Sequence, residues 1–274
     1  MSILYIFADE SGTMPINDRD DPFVAATIGF LDNLPPPVPR SNDNDELASI
    51  LKTQKALPVV TFVRPFPNYA KLVKTKYKKF EIMARAKCLL EGKTIQYPDK
   101  DNINIRNDVW QQAILQSIIR NLLNIVFDYS PCTKIKFIFD EKTMTQNRRI
   151  LFEKLTLNID LMLRQYLEGF KDNYSESLLS AIINKIQFSR HSTSIIWSDN
   201  PNFPENYAFG LKLADRVARK IYQTLKGEFD FISILKKVGC KDFSIDITQQ
   251  IARPVDRKLI ENWKREMGLP ESQI

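Results

Sequence analysis

An unbroken apolar run, Ile3 to Ala8, stops at two adjacent carboxylates, Asp9 and Glu10, and Ser11 and Gly12 read as the turn away from the strand. A strand with one wet face alternates polar and apolar residues, so a continuous run belongs to a strand covered on both faces. The chain must therefore supply packing layers above and below this strand. A second stretch, KFIFDEKT from Lys136 to Thr143, repeats the arrangement, with aromatic and aliphatic residues ending at Asp140 and Glu141. Two buried strands that both end in acid pose the question of chemistry at a sheet edge.

The remaining elements fix the order around those two strands. FVAATIGF (23–30) and PVVTFV (58–63) read as further strands, which with the first make an antiparallel meander. Between them LPPPVPRSNDND lacks periodicity and reads as a surface loop. A basic helix is expected over 69–91, with Lys74, Lys76, Lys78 and Lys79 among its cations and Glu81 and Glu91 as its only acids. Residues 108–127 form an amphipathic helix, since Trp110, Ile114, Ile118, Leu122 and Ile125 recur at spacings of three and four. After the strand 134–140 come a helix over 146–170, a shorter one over 177–184 and the strand IQFSR (186–190), with SIIWS (194–198) as another candidate strand. A helix over 207–225 follows, and the tail offers two short helices at 230–237 and 256–267.

A meander followed by alternating strands and helices is the order of a ribonuclease H-like α/β domain with a mixed sheet, its antiparallel meander followed by parallel strands and flanked by helices. The reading is one domain over 1–274, with a loop and helical insertion near 32–100 and a C-terminal helical extension over 226–274. In that topology the first strand lies parallel to the strand ending at Asp140, which sets Asp9 and Asp140 roughly 5 Å apart at one carboxyl edge. Alternation turns Glu10 to the face opposite Asp9.

A third acid comes from the helix YAFGLKLADRVARKIY. Leu211, Asp215, Ala218 and Tyr222 share one stripe, whereas Lys212, Arg216, Arg219 and Lys220 make the polar face. Asp215 is therefore expected on the buried side, where a carboxylate needs a cation: a metal ion, or one of the arginines. Gly210, Ala214 and Ala218 let this helix lie close to the sheet.

Composition narrows the chemistry. The 274 residues include a single histidine, His191, and three scattered cysteines, Cys88, Cys132 and Cys240. A histidine-based triad, a zinc cluster and a disulfide framework are all without support. Carboxylates remain, and hard oxygen ligands suit Mg²⁺ or Mn²⁺. Two such ions activate water and stabilise the leaving oxygen in phosphodiester hydrolysis. The formal charge of +6 suits a polyanionic partner. No apolar stretch approaches the roughly 18 residues that cross a bilayer, and the N-terminal run is too short for a signal peptide, so a cytoplasmic protein without membrane contact is expected.

DESG at the first strand, an acid ending the middle strand, and Leu-x-Leu-Ala-Asp in the late helix resemble the bacterial domain-of-unknown-function family numbered 3800, over roughly residues 3–225. That family is regarded as ribonuclease H-like. The resemblance implies Asp9, Asp140 and Asp215 as catalytic metal-site positions, with Glu10 and Ser11 in the first motif. Lys212 stands where the family usually has glutamine. Glu81 and Asp199 are candidates for a further acid.

Other signatures fail. Ser11 occupies the place of the second aspartate of haloacid-dehalogenase-like phosphatases, where a hydroxyl cannot act as the acid. Gly12 comes one residue late for actin-like ATPases, and EGKT (91–94) lacks the upstream glycine of a P-loop, Lys87 standing there instead. Two functions follow as expectations. One is a divalent-metal-dependent nuclease acting on RNA or DNA, with Lys74, Lys76, Lys78, Lys79, Lys212 and Arg216 on the phosphate backbone. The other is a non-catalytic ribonuclease H-like module that binds nucleic acid or a protein partner in a bacterial defence or mobile-element system. A homo-oligomer is compatible with either.

Overall fold

The computed structural model describes residues 3–12, 22–35, 37, 43–53, 55–63, 113–122, 134–140, 146–157, 193–237 and 245–246. Eleven elements lie in these segments. They are β1 (Ile3–Ser11), β2 (Phe23–Leu31), α1 (Asn44–Thr53), β3 (Leu57–Val63), α2 (113–122), β4 (Lys134–Phe139), α3 (Gln146–Leu157), β5 (Thr193–Trp197), α4 (Glu205–Leu225), α5 (Phe231–Lys237) and the short β6 (Ile245–Asp246), the last being a two-residue extension of the sheet. The six strands form one mixed sheet in the order β5-β4-β1-β2-β3-β6.

The apolar run that opens the chain takes the centre of this sheet. β1 pairs antiparallel with β2, in register Phe7↔Ile28, and parallel with β4, in register Ala8↔Phe139. β2 and β3 complete an antiparallel meander, whereas β5 pairs parallel with β4, in register Phe139↔Trp197. The expected adjacency of the first strand and the strand before Asp140 is thus present. SIIWS, the candidate strand, is the edge strand β5, while IQFSR lies outside the described residues, as do the basic helix with Lys74, Lys76, Lys78, Lys79 and Glu81, and His191.

Helices cover both faces, as a doubly buried central strand demands. On one face Tyr5, Phe7, Ala26, Ile28, Val60 and Ile138 join Leu47 and Leu51 of α1, Leu211, Ala214 and Val217 of α4, and Phe231 of α5 in a single core. On the other face Phe139 packs edge-on to Phe152 of α3 and tilts against Trp197, with ring centroids 5.2 and 5.1 Å apart. That face also buries polar groups: Asn121 of α2 donates its amide to the Thr27 hydroxyl at 2.6 Å, and the hydroxyls of Thr61 and Ser117 meet at 2.5 Å.

Two glycines set the geometry around β1. A Cβ on Gly210 would lie 2.4 Å from the Phe7 ring, so only glycine lets α4 approach the strand this closely. Gly12 has φ +90°, and a Cβ there would meet the Pro22 carbonyl oxygen at 2.2 Å and the Tyr222 ring at 2.9 Å. It turns the chain out of β1 beneath α4.

Three expectations change. Ser11 belongs to β1 rather than to the turn, because β2 runs alongside and offers Ala25 to Glu10 and Val24 to Ser11. The loop LPPPVPRSNDND gives way at its last two residues to α1, a helix not expected between the second and third strands, whose Asp43 caps it by accepting the Asp45 N–H at 2.9 Å while Leu47, Ala48 and Leu51 bury one face. The tail is not only helical, since Ile245 and Asp246 pair parallel with Thr61 and Phe62 of β3. No helix among the described residues is long and apolar enough to cross a membrane.

Candidate functional site at the carboxyl ends of the parallel strands

β1, β4 and β5 run parallel, and all three deliver a polar residue at their carboxyl ends. Pairing between β1 and β4 is regular through Ala8↔Phe139, so the next position on each strand sets Asp9 beside Asp140. Adjacent strands lie about 4.8 Å apart, which makes the two carboxylates neighbours. Pairing between β4 and β5 is regular through Phe139↔Trp197, and the Ser198 N–H still donates to the Phe139 carbonyl at 3.0 Å. Ser198 therefore follows next in the row, and its hydroxyl donates to Asp140 Oδ1 at 2.6 Å.

The three side chains share one face. Asp9 sits opposite Ala26, which belongs to the core beneath α4. Ile138 also belongs to that core and Ile196 packs against it, so Asp140 and Ser198, two residues further along each strand, point the same way. Asp9 is half-buried and Asp140 is exposed. Asp9 Oδ1 accepts the Glu10 N–H at 2.7 Å, which holds one carboxylate oxygen close to its own backbone. Glu10 takes the opposite face, as alternation requires.

The physical origin of the row is a change of neighbours. At Asp9 the strand β1 loses its regular pairing with β4 and keeps its pairing with β2 through Ser11. A polar notch thus opens on the parallel side of the sheet only. Behind it the sheet is apolar: Phe7, Ala8, Ile138 and Phe139 are each at most 2% exposed. Acids here have solvent on one side and a low-dielectric wall on the other, the setting in which carboxylates gain most from a bound cation.

Asp199, one residue beyond Ser198, has a different role. Arg149 of α3 grips it with two hydrogen bonds, 2.6 and 3.0 Å, and the same guanidinium lies 4.4 Å from the centroid of the Trp197 ring. Glu153 completes the cluster by accepting from Arg149 Nε at 3.4 Å and from the Trp197 indole N–H at 2.8 Å. The Arg149 hydrogen bonds hold the Asp199 carboxyl below the usual carboxylate range. Asp199 is thereby committed to tying α3 to the end of β5.

Asp215 departs from expectation in burial. Its side chain is 36% exposed, and it pairs with Arg219 one helical turn on, at 3.1 Å. The arginine alternative is thus the one seen, at the rim of the apolar stripe rather than inside it. Tyr207, Gly210, Ala214, Val217 and Ile221 point directly at the sheet, and Asp215 lies about 100° round the helix from Ala214. Among the described residues no group of three or more His, Cys, Asp or Glu side chains is placed to hold a metal ion. The donor set of two carboxylates and a hydroxyl nevertheless suits a hard cation, since Mg²⁺ is commonly held by only one or two carboxylates with water and substrate phosphate completing its shell. Glu81 and the lysines of the basic helix lie outside the described residues.

Sequence reasoning missed Ser198. Its signal is the polar residue directly after SIIW, the third strand-to-polar ending in the chain. No family model, no curated protein and no solved structure matches this chain.

Proposed function

We propose that the protein hydrolyses phosphodiester bonds of nucleic acid with a divalent cation, Mg²⁺ or Mn²⁺, held at Asp9 and Asp140. The observation that carries this reading is the juxtaposition of those two carboxylates at the ends of adjacent central parallel strands, on one face. The strand order supports a ribonuclease H-like fold, an antiparallel meander whose first strand pairs parallel with the fourth. Asp9 and Asp140 would hold the ion, and Ser198 fixes Asp140 by its hydroxyl. Charge stabilisation at the scissile phosphate is what a bound divalent ion supplies. Asp215 stands as the third acid, with Arg219 as the partner it would have to exchange.

The test is cleavage of labelled RNA and DNA with Mn²⁺, with Mg²⁺ and in chelator. Cleavage is expected only with divalent metal, and Asp9→Asn or Asp140→Asn should each lower it by about a hundredfold or more. Full cleavage in chelator, or by Asp9→Asn, overturns the proposal. Asp215→Asn places the third acid: loss of turnover assigns it to the ion, and loss of nucleic-acid affinity alone assigns it to Arg219.

A second reading, a non-catalytic nucleic-acid-binding module, is favoured by the Asp215–Arg219 ion pair. It predicts salt-sensitive binding that chelator leaves unchanged, without turnover.

A further inference from the structure

The outer face of α4 is cationic. Lys212, Arg216, Arg219 and Lys220 recur there at i, i+4, i+7 and i+8, and together with Asp43, Leu47, Asp215 and Gln223 they line a groove of about 460 Å³. That volume is within the range of small-molecule sites. The groove has one wall from α4 and the other from the amino-terminal end of α1.

Charge and hydrogen-bonding capacity describe what would fill it. Arg219 is steadied by Asp215 at 3.1 Å, and Lys220 rests 5.1 Å from the centroid of the Phe229 ring. Lys212 and Arg216 form no ion pair among the described residues. Four cations therefore face a groove whose two described acids are both engaged, Asp215 by Arg219 and Asp43 by capping α1. The surplus is cationic, and two of the four heads are guanidinium groups, whose planar forks match phosphate. Gln223 adds a second requirement: its Oε1 is buried and has no hydrogen-bond partner among the described residues. A buried acceptor left unpaired calls for a donor, which the ionised phosphate ester of a nucleotide does not carry but its ribose and base do.

We infer that this groove binds a nucleotide unit, its phosphate at the cations of α4 and a ribose hydroxyl or base amino group donating to Gln223 Oε1. The unit is either a free nucleotide or one residue of a nucleic-acid strand. In the second case the inference deepens the nuclease proposal, because it names a strand-holding site that uses neither Asp9 nor Asp140.

Binding is measured in chelator, so that no divalent ion contributes at the sheet edge. The probes are the four nucleoside 5′-monophosphates, inorganic phosphate, and a labelled single strand of RNA and of DNA. At least one monophosphate or strand should bind more tightly than inorganic phosphate. Lys212→Gln/Arg216→Gln should weaken that binding by about tenfold or more, and for a strand should reduce the salt slope by roughly two. Gln223→Leu should erase the preference over inorganic phosphate while leaving phosphate binding in place, which a merely structural role would not do. Tight monophosphate binding identifies the free nucleotide as the ligand, and strand binding without it identifies the nucleic acid. Absence of binding by every probe, or binding that the double substitution leaves unchanged, overturns the inference. Asp9→Asn separates the two proposals: turnover that survives it sinks the nuclease reading, while groove binding in chelator is read independently.

Discussion

Asp199 and Asp140 flank the same serine, yet the structure puts them to opposite uses. Asp140 ends a buried central strand and faces solvent, whereas Asp199 is gripped by Arg149 through both terminal guanidinium nitrogens. That grip holds the Asp199 carboxyl below its ordinary range, so its contribution to stability is present above the ordinary aspartate pKa of about 3.9 and is lost as pH falls through the lower folded value. Both side chains are about one-third exposed, which limits the ion pair to roughly 1 kcal/mol or less. Asp199→Asn should therefore cost no more than about 1 kcal/mol in urea denaturation at pH 7. Below the folded pKa it should match the parent, whose Asp199 is then neutral too. Arg149→Ala should cost more and keep part of its cost in acid, because the guanidinium also stacks on Trp197 at 4.4 Å. Equal losses for the two substitutions at both pH values would show that the stack contributes nothing. At this scale the sequence was legible where one residue type meets one strand end, as at Asp9 and Asp140. It was not legible at Asp199, because nothing local to DNPN announces an arginine fifty residues earlier in the chain.

Elements were legible in proportion to how strongly their own pattern constrains them. β1, β2 and β4 are continuous apolar runs and lie where those runs lie. α1 was missed because a proline-rich stretch precedes it and its apolar stripe is only three residues, Leu47, Ala48 and Leu51. Its stability comes from packing on the core beside α5, which no local window contains. The partnership of α2 with β2 is equally hidden. Asn121 is fully buried and donates to Thr27, while its Oδ1 has no partner among the described residues and lies 3.0 Å from where a Cβ on Gly29 would be. Removing the one acceptor that the amide uses leaves a buried donor unpaired, at a cost of about 1–3 kcal/mol. Thr27→Val should show that loss in chemical denaturation. Thr27→Val with Asn121→Leu should recover much of it, since removal of both polar groups leaves nothing unsatisfied. A double variant weaker than the sum of its parts would mean that the asparagine holds α2 in place by shape and not by its hydrogen bond.

At the scale of the whole molecule the sheet is assembled from both ends of the chain, and this settles how the tail should be regarded. A reading by order alone sets residues beyond 225 aside as an extension, because two short helical patterns have no evident partner. In the structure α5 is packed between α1 and α4, with Phe231 fully buried and Leu235 5% exposed, in the same core as Phe7 and Ile28. The Phe231 N–H donates to the Thr224 hydroxyl at 3.1 Å, so the turn that leads from α4 to α5 is itself fixed. Beyond it, Ile245 and Asp246 add to the free edge of β3 and shield a strand that would otherwise offer unpaired backbone groups. A helix that only decorated the domain would tolerate truncation of its apolar side chain. Here Phe231→Ala should cost about 3–5 kcal/mol, because a ring is removed from a closed core that collapses only in part around the gap. Ser233→Ala, on the exposed side of the same short helix, removes a hydrogen bond to Asp230 and should cost under about 1 kcal/mol. Urea denaturation of both variants distinguishes the two descriptions: a large loss confined to Phe231→Ala makes the tail part of the domain core, whereas small losses for both would make α5 an appendage. The consequence reaches the groove on α4, since that helix is braced by Phe231 of α5 and by Phe229, in the turn before α5, beneath Lys220. If both proposals hold, Phe231→Ala should weaken binding at the α4 groove at least as much as it weakens metal-dependent cleavage at the sheet edge, because α5 packs directly on α4 whereas β1 and β4 are held by their own ladder.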